Sequence, residues 1–266
     1  MNAARSFAWR RFALAALAGL AAALPSATPA EQRVTFAPVA PRAGDAGEIS
    51  GHLSRPPGAG PFPAVVLLHS CLGLPKNRRA IADMIAGWGY VALFVDDFTT
   101  RGLKETCAVD FGEGVADAFG ALAFLARLAY VDPKRVAAVG YSQGADTALA
   151  IAASPLAASG DLRFKAAAAF YPPCANEAGA QLRAPTLILV GGLDEVTPAA
   201  DCERLAQAQP GADVSLVVYA KAAHGFDNPE FAGGKRVLGM ELKYDRDAAE
   251  RSSLALRDFL ATRLAR

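Results

Sequence analysis

The chain has 266 residues, 53% hydrophobic and 20% charged, with 24 glycines and 17 prolines. That composition excludes a disordered or collagen-like polymer, and the length supports one α/β domain or two small ones with a core that needs no staples. Basic and acidic residues nearly cancel, at 27 against 26, no run of five or six like charges occurs, and only three histidines are present, so nucleic acid, polyanionic surfaces and a histidine-rich metal site are not indicated.

The amino terminus reads as a separate object. Arg5, Arg10 and Arg11 precede an apolar run from Phe12 to Leu24, and Pro25-Ser26-Ala27-Thr28-Pro29-Ala30 follows. A basic start, a short apolar segment and small residues near a cut site describe a secretory signal. The run of 13 residues is too short to span a bilayer as a helix. Cleavage after Ala30 is expected, leaving residues 31–266 as one nearly neutral domain in the periplasm or outside the cell, with no membrane span. Arg10-Arg11 fits twin-arginine export loosely, and the sequence does not choose between export routes.

In the remaining chain, residues 32–39 and 48–54 alternate as an antiparallel strand pair would, and Pro56-Pro57-Gly58 ends the second. Continuous apolar runs then occur at 64–69, 91–95, 136–140, 166–171, 186–191 and 214–219, the pattern of strands buried on both faces. Helical segments alternate with them at 77–88, 113–129, 144–153, 199–208 and 245–264. This alternation predicts a mainly parallel α/β sheet in three layers, without repeats or internal linkers.

Chemistry enters at Gly140-Tyr141-Ser142-Gln143-Gly144, directly after a buried run and opening an alanine-rich helix. A sharp strand-to-helix turn there would hold the Ser142 hydroxyl above the sheet, at a helix amino terminus that favours negative charge. A serine needs a base. His224 follows Ser142 just past the run ending at Tyr219, whereas His52 and His69 precede it. The acid should lie between serine and histidine, and Asp194 does, after Gly191-Gly192; Glu195 is its rival. One oxyanion donor is expected from the N–H of Gln143 and another from the loop His69–Leu74. His69 is expected to shape that loop and not to act as base.

With these motifs in place the chain resembles the dienelactone hydrolases, a branch of the α/β-hydrolase superfamily. The matching stretches are Val65–Leu74, Gly87–Leu93, Asp97–Gly102, the serine turn, Gly191–Asp194 and His224-Gly225-Phe226. The resemblance implies an α/β-hydrolase fold, the triad Ser142, Asp194 and His224, an oxyanion hole of the Cys71 and Gln143 N–H groups, and no cofactor or metal. It differs at the nucleophile, where the name-giving enzyme has cysteine, and at Ser70, where that enzyme has glutamate. A serine esterase acting on small esters or lactones is therefore expected. A thioesterase or acyltransferase would use the same triad, and an idle fold kept for binding is the reading from another class. Oligomeric state is not indicated.

Two further expectations concern loops. Arg101, beyond the run 91–95, matches a family arginine that binds a substrate carboxylate, while the second such arginine falls at Asn228. Arg101 is equally placed to pair with Asp97 or another carboxylate. Tyr141, inside the serine motif, is the other substrate-binding candidate. Among the cysteines, Cys71 and Cys107 lie beyond one pair of strands that are adjacent in this fold, and Cys174 and Cys202 beyond another. In an exported protein this favours the disulfides Cys71–Cys107 and Cys174–Cys202.

Overall fold

Successive side chains of one strand seed both halves of the core. In the computed structural model, Val65 and Leu67 of β3 (Phe62–Leu68) face one cluster, while Ala64, Val66 and Leu68 face another. The described residues are 1, 31–40, 47–109, 111–155, 162–237 and 239–265. The expected leader, residues 1–30, therefore lies outside them apart from Met1.

Eight strands run in the order β1–β2–β4–β3–β5–β6–β7–β8. The first two, β1 (Gln32–Phe36) and β2 (Ile49–Ser54), are antiparallel, and β2 runs antiparallel to β4 (Val91–Asp96). From β4 onward the sheet is parallel, through β3, β5 (Val131–Tyr141), β6 (Ala166–Phe170), β7 (Thr186–Gly191) and β8 (Val214–Tyr219). Helices α1 (Arg78–Gly87) and α5 (Arg246–Arg263) cover one face, bringing Ile85, Leu256 and Leu260 onto Phe94 and Val139. On the other face lie α2 (Gly114–Leu125), α3 (Gln143–Ala153) and α4 (Ala199–Gln207), through Leu122, Leu149 and Leu205. Apolar side chains removed from water on both sides of a sheet supply the main stabilisation and explain the uninterrupted runs in the sequence. Among the described residues, no helix is long and apolar enough to cross a membrane.

The elements depart from expectation where backbone donors or close approaches intervene. The first strand stops at Phe36, before Pro38, and Ala37-Pro38 instead crosses α2 where Gly120 leaves room: a Cβ there would lie 2.4 Å from the Ala37 oxygen. Helix α2 ends at Leu125 because the next amides bond three residues back, Arg127 to Phe124 and Leu128 to Leu125. Strand β5 starts early, at Val131, through a register shift opposite Phe62–Ala64. A hairpin of β9 (Lys235–Val237) and β10 (Met240–Leu242) has no counterpart among the expected elements.

Candidate active site

The nucleophile candidate sits on backbone that few residues adopt. Ser142 has φ 53° and ψ −113°, between the end of β5 and the first residue of α3. Such a conformation costs of order 1–3 kcal/mol and persists only where the surroundings hold it. Two glycines make the turn possible by their lack of bulk. A Cβ on Gly140 would stand 1.9 Å from the Gly144 oxygen, and one on Gly144 would stand 2.3 Å from the oxygen of Leu68. The Ser142 N–H donates to the Phe170 carbonyl at 2.9 Å, tying the turn to β6.

The acid and the histidine come from the ends of β7 and β8, on loops bonded to each other. Gly192 N–H donates to the Tyr219 oxygen at 2.8 Å and Leu193 N–H to the Ala222 oxygen at 2.9 Å. Gly191 permits this approach, since a Cβ there would lie 2.3 Å from the Ala222 oxygen. The result is a continuous relay: His224 Nε2 lies 3.0 Å from Ser142 Oγ, and His224 Nδ1 lies 2.8 Å from Asp194 Oδ2. Asp194 Oδ1 accepts the N–H groups of Val196 and Thr197 at 2.9 and 2.8 Å, and Thr197 Oγ1 donates to Oδ2 at 2.9 Å. Asp194 is buried. These bonds orient its carboxylate toward the imidazole. Glu195, the rival acid, is exposed and takes no part in this relay.

The expected oxyanion donors come from two different elements. Gln143 opens α3, so its N–H lies among those a helix leaves without an internal acceptor. Cys71 lies in the loop after β3, and both residues line the same cavity as Ser142, Tyr141 and His224. Tyr141 is buried, and burial pushes its hydroxyl above the ordinary tyrosine value, so it stays neutral. His69 is outside the relay. Its Nδ1 lies 2.8 Å from the Ser70 oxygen, and its Nε2 lies 2.7 Å from Asp97 Oδ1, a close ion-pair approach out of line for a hydrogen bond. Burial alone would lower the His69 pKa; the Asp97 carboxylate outweighs this and holds it above the ordinary value. His52 lies on β2 beside Glu31.

Arg101 does not stand with the cavity residues. Its guanidinium grips the fully buried Asp117 of α2 in two bonds, 2.8 and 3.0 Å, and donates to the Asp97 carbonyl at 2.8 Å. This is the carboxylate partner within the protein that the sequence held open as the alternative to a substrate role for Arg101. Asn228 lines the cavity and caps a short 3₁₀ turn, its side chain accepting from the Glu230 N–H. Both disulfides have the expected pairing, Cys71–Cys107 and Cys174–Cys202.

Three site residues escape a reading of the sequence. Thr197 has a signal, an Asp followed three residues later by Thr-Pro, the spacing of a side-chain-capped turn. Tyr171 and Asp227 have none. The Tyr171 ring meets the His224 ring edge-on at 4.6 Å, and its hydroxyl donates to Asp227 Oδ1 at 2.7 Å.

The cavity measures ≈ 750 Å³. A nucleophile, a base oriented by an acid, and N–H donors around one such space form an arrangement suited to acyl transfer.

A model of the dienelactone hydrolase family matches residues 49–264. Over 199 residues the chain is 26% identical to a Methylorubrum extorquens protein named "Putative carboxymethylenebutenolidase", with 68% of each chain covered. The fold is similar to that of a dienelactone hydrolase-like promiscuous phosphotriesterase from metagenomic libraries, with TM-score 0.66, 22% identity, and 89% of this chain and 100% of that one covered. It is also similar to Thermogutta terrifontis esterase 2 phosphoramylated by tabun, with TM-score 0.65, 21% identity, and 91% and 97% covered. The match over most of the described chain, together with the strand-end positions of Ser142, Asp194 and His224, leads to one conclusion: the chain belongs to the dienelactone hydrolase family and is a carboxylic-ester hydrolase.

Proposed function

We propose that the protein hydrolyses small, uncharged carboxylic esters or lactones through an acyl-enzyme on Ser142. The observation that carries this is the unbroken line from Ser142 Oγ through His224 to Asp194, at 3.0 and 2.8 Å. In the first step His224 Nε2 takes the hydroxyl proton as Ser142 Oγ bonds to the carbonyl carbon. The oxyanion formed is met by the Cys71 and Gln143 N–H groups, while Asp194 stabilises the imidazolium. Collapse breaks the carbon–oxygen bond to the leaving alcohol, which receives the proton from His224. Water then adds to the acyl group by the same sequence and releases the acid and Ser142.

Neutral substrates fit a wall of mixed charge, in which Lys76 and Lys235 are offset by Asp146, Asp227 and Glu230. Arg101 is committed to Asp117, the place of a second arginine is taken by Asn228, and Asp227 adds a carboxylate to the wall. Leu72, Leu74, Ile81, Phe111, Phe231 and Met240 supply apolar lining. Two disulfides and the basic, apolar leader support a single exported domain over 31–266, acting in an oxidising compartment.

The test is hydrolysis of a neutral aryl ester and of its carboxylated analogue by the parent and by Ser142→Ala, with covalent labelling by a fluorophosphonate. Turnover and labelling lost together in Ser142→Ala, with the neutral ester preferred by the parent, is the expected result. Label or turnover persisting without the Ser142 hydroxyl would refute the reading.

A further inference from the structure

The two expected oxyanion donors lie on separate elements, each just past the end of one of two paired strands. Cys71 lies in the loop after β3, and Gln143 starts α3 after β5. The loop is rigid within itself: the Ser70 carbonyl, across the peptide from the Cys71 N–H, is held by the Gly73 N–H at 2.9 Å and lies 2.8 Å from His69 Nδ1. These contacts orient the Cys71 peptide but do not set the distance of the loop from α3.

A third segment spans that gap. Thr106, in the chain that follows β4, is buried at 3% exposure. Its N–H donates to the Cys71 carbonyl at 2.9 Å, and its hydroxyl donates to Gln143 Oε1 at 2.7 Å. The next residue, Cys107, is joined covalently to Cys71. One dipeptide thus touches both donor residues, one by backbone and disulfide, the other by its hydroxyl. With its own carbonyl and sulfur held on one side and the Ser70 carbonyl held on the other, the direction of the Cys71 N–H is set before substrate arrives. The bond to Thr106 also engages the acceptor end of the Gln143 amide.

We propose that Thr106 and the Cys71–Cys107 disulfide position the oxyanion hole, fixing the spacing between the Cys71 and Gln143 N–H groups. Thr106 is a positioning residue here, acting through its neighbours and not on the substrate. Its effect belongs in the transition state, because a pre-aimed donor matters most when charge develops on the carbonyl oxygen, and each such donor is worth about 10²–10³ in rate. Loosening both without removing either should forfeit a part of this, about tenfold, since misplacement of about 1 Å can itself cost up to 10²-fold.

The inference rests on the Ser142 reading above, and the test separates them. Thr106→Val keeps the N–H and the volume but removes the bond to Gln143, and Thr106→Ser restores it. The measurements are kcat, KM and the inhibition constant of a trifluoromethyl ketone, whose serine adduct carries the oxyanion. Expected for Thr106→Val is a roughly tenfold loss in kcat, KM within about twofold, and ketone affinity weakened in step with kcat/KM, with Thr106→Ser close to the parent. A lower melting temperature with kcat and ketone affinity unchanged, or a change in KM alone, would overturn the proposal. If Thr106→Val does not accumulate folded, Cys107→Ala cuts the other tie and is read the same way: parental kcat and ketone affinity overturn the proposal, a parallel loss supports it. Activity surviving in Ser142→Ala sinks both readings; inactive Ser142→Ala with an unaltered Thr106→Val sinks this one alone.

Discussion

Thr197 Oγ1 donates to Asp194 Oδ2 at 2.9 Å and lies 3.3 Å from His224 Nδ1, so one hydroxyl touches both ends of the acid–imidazole bond. The Asp194 carboxylate is held by three protein donors besides the histidine, and two of those come from Thr197, its N–H and its hydroxyl. The same oxygen lies 3.2 Å from the Tyr171 carbonyl, just past the end of β6.

Replacing Thr197 by valine preserves shape and the N–H but removes the hydroxyl. A hydrogen bond to a charged group contributes about 1.5–3 kcal/mol, and part of that orients the acid for catalysis. We expect Thr197→Val to lower kcat by about tenfold with little change in KM, and Thr197→Ser to recover most of it. Steady-state kinetics on a neutral aryl ester check this. An unchanged kcat would show that the two backbone donors orient Asp194 unaided.

The serine turn depends on missing Cβ atoms, and this can be measured against a glycine that does not. In Gly144→Ala the new methyl would lie 2.3 Å from the Leu68 oxygen and 2.5 Å from the His69 oxygen, both backbone atoms. The turn would have to move, at a cost of about 1–3 kcal/mol or more. At Gly87, the last residue of α1, a Cβ would meet no atom within 4 Å, and alanine there should be neutral or stabilising by up to about 1 kcal/mol. Urea unfolding should therefore show a loss of stability in Gly144→Ala and none in Gly87→Ala, and activity should fall in Gly144→Ala only.

Arg101 separates a substrate role from a scaffold role. Its side chain is 13% exposed and that of Asp117 is 0% exposed. Removing one partner of a buried pair leaves an uncompensated charge and costs about 3–5 kcal/mol. Arg101→Ala should lose stability on that scale and reduce kcat/KM on acidic and neutral esters alike. A selective loss on the acidic ester, with stability intact, would return Arg101 to the substrate.

What the sequence made legible follows from how local each signal is. Ser142 stands out because Gly140 and Gly144 bracket it between an apolar run and an alanine-rich one, and both glycines prove to be needed for space. Asp194 and His224 could be read from chain order and strand ends, and the disulfides from which strands neighbour each other. The partner of Arg101 could not, since Asp117 lies 16 residues on, around a turn and into a helix. An acid between Ala116 and Ala118 in an otherwise apolar helix was nevertheless a sign of a buried cation nearby. Thr106 was silent because its two partners meet only once β3, β4 and β5 are assembled. The β9–β10 hairpin was silent because three residues per strand are too few to show alternation.

Asp227 yields a pH dependence of stability. Its carboxyl is pushed up from the ordinary 3.8 to about 6, chiefly by burial, against the bond donated by the Tyr171 hydroxyl and the neighbouring His224. The folded protein therefore holds a proton on Asp227 that the unfolded chain has already released between about pH 4 and 6. Where the native state binds more protons, stability falls as pH rises, so this residue's contribution is favourable near pH 4 and is lost as pH passes through about 6. In Asp227→Asn that contribution no longer titrates. The difference in unfolding free energy, variant minus parent, should thus grow between pH 4 and pH 7, by an amount on the order of 1–3 kcal/mol. Urea unfolding of both proteins at several pH values across that window measures it, and the differencing cancels the other titrating groups they share. A difference that stays flat, or that shrinks as pH rises, would mean that the Asp227 carboxyl ionises in the cavity wall at least as readily as it does in the unfolded chain.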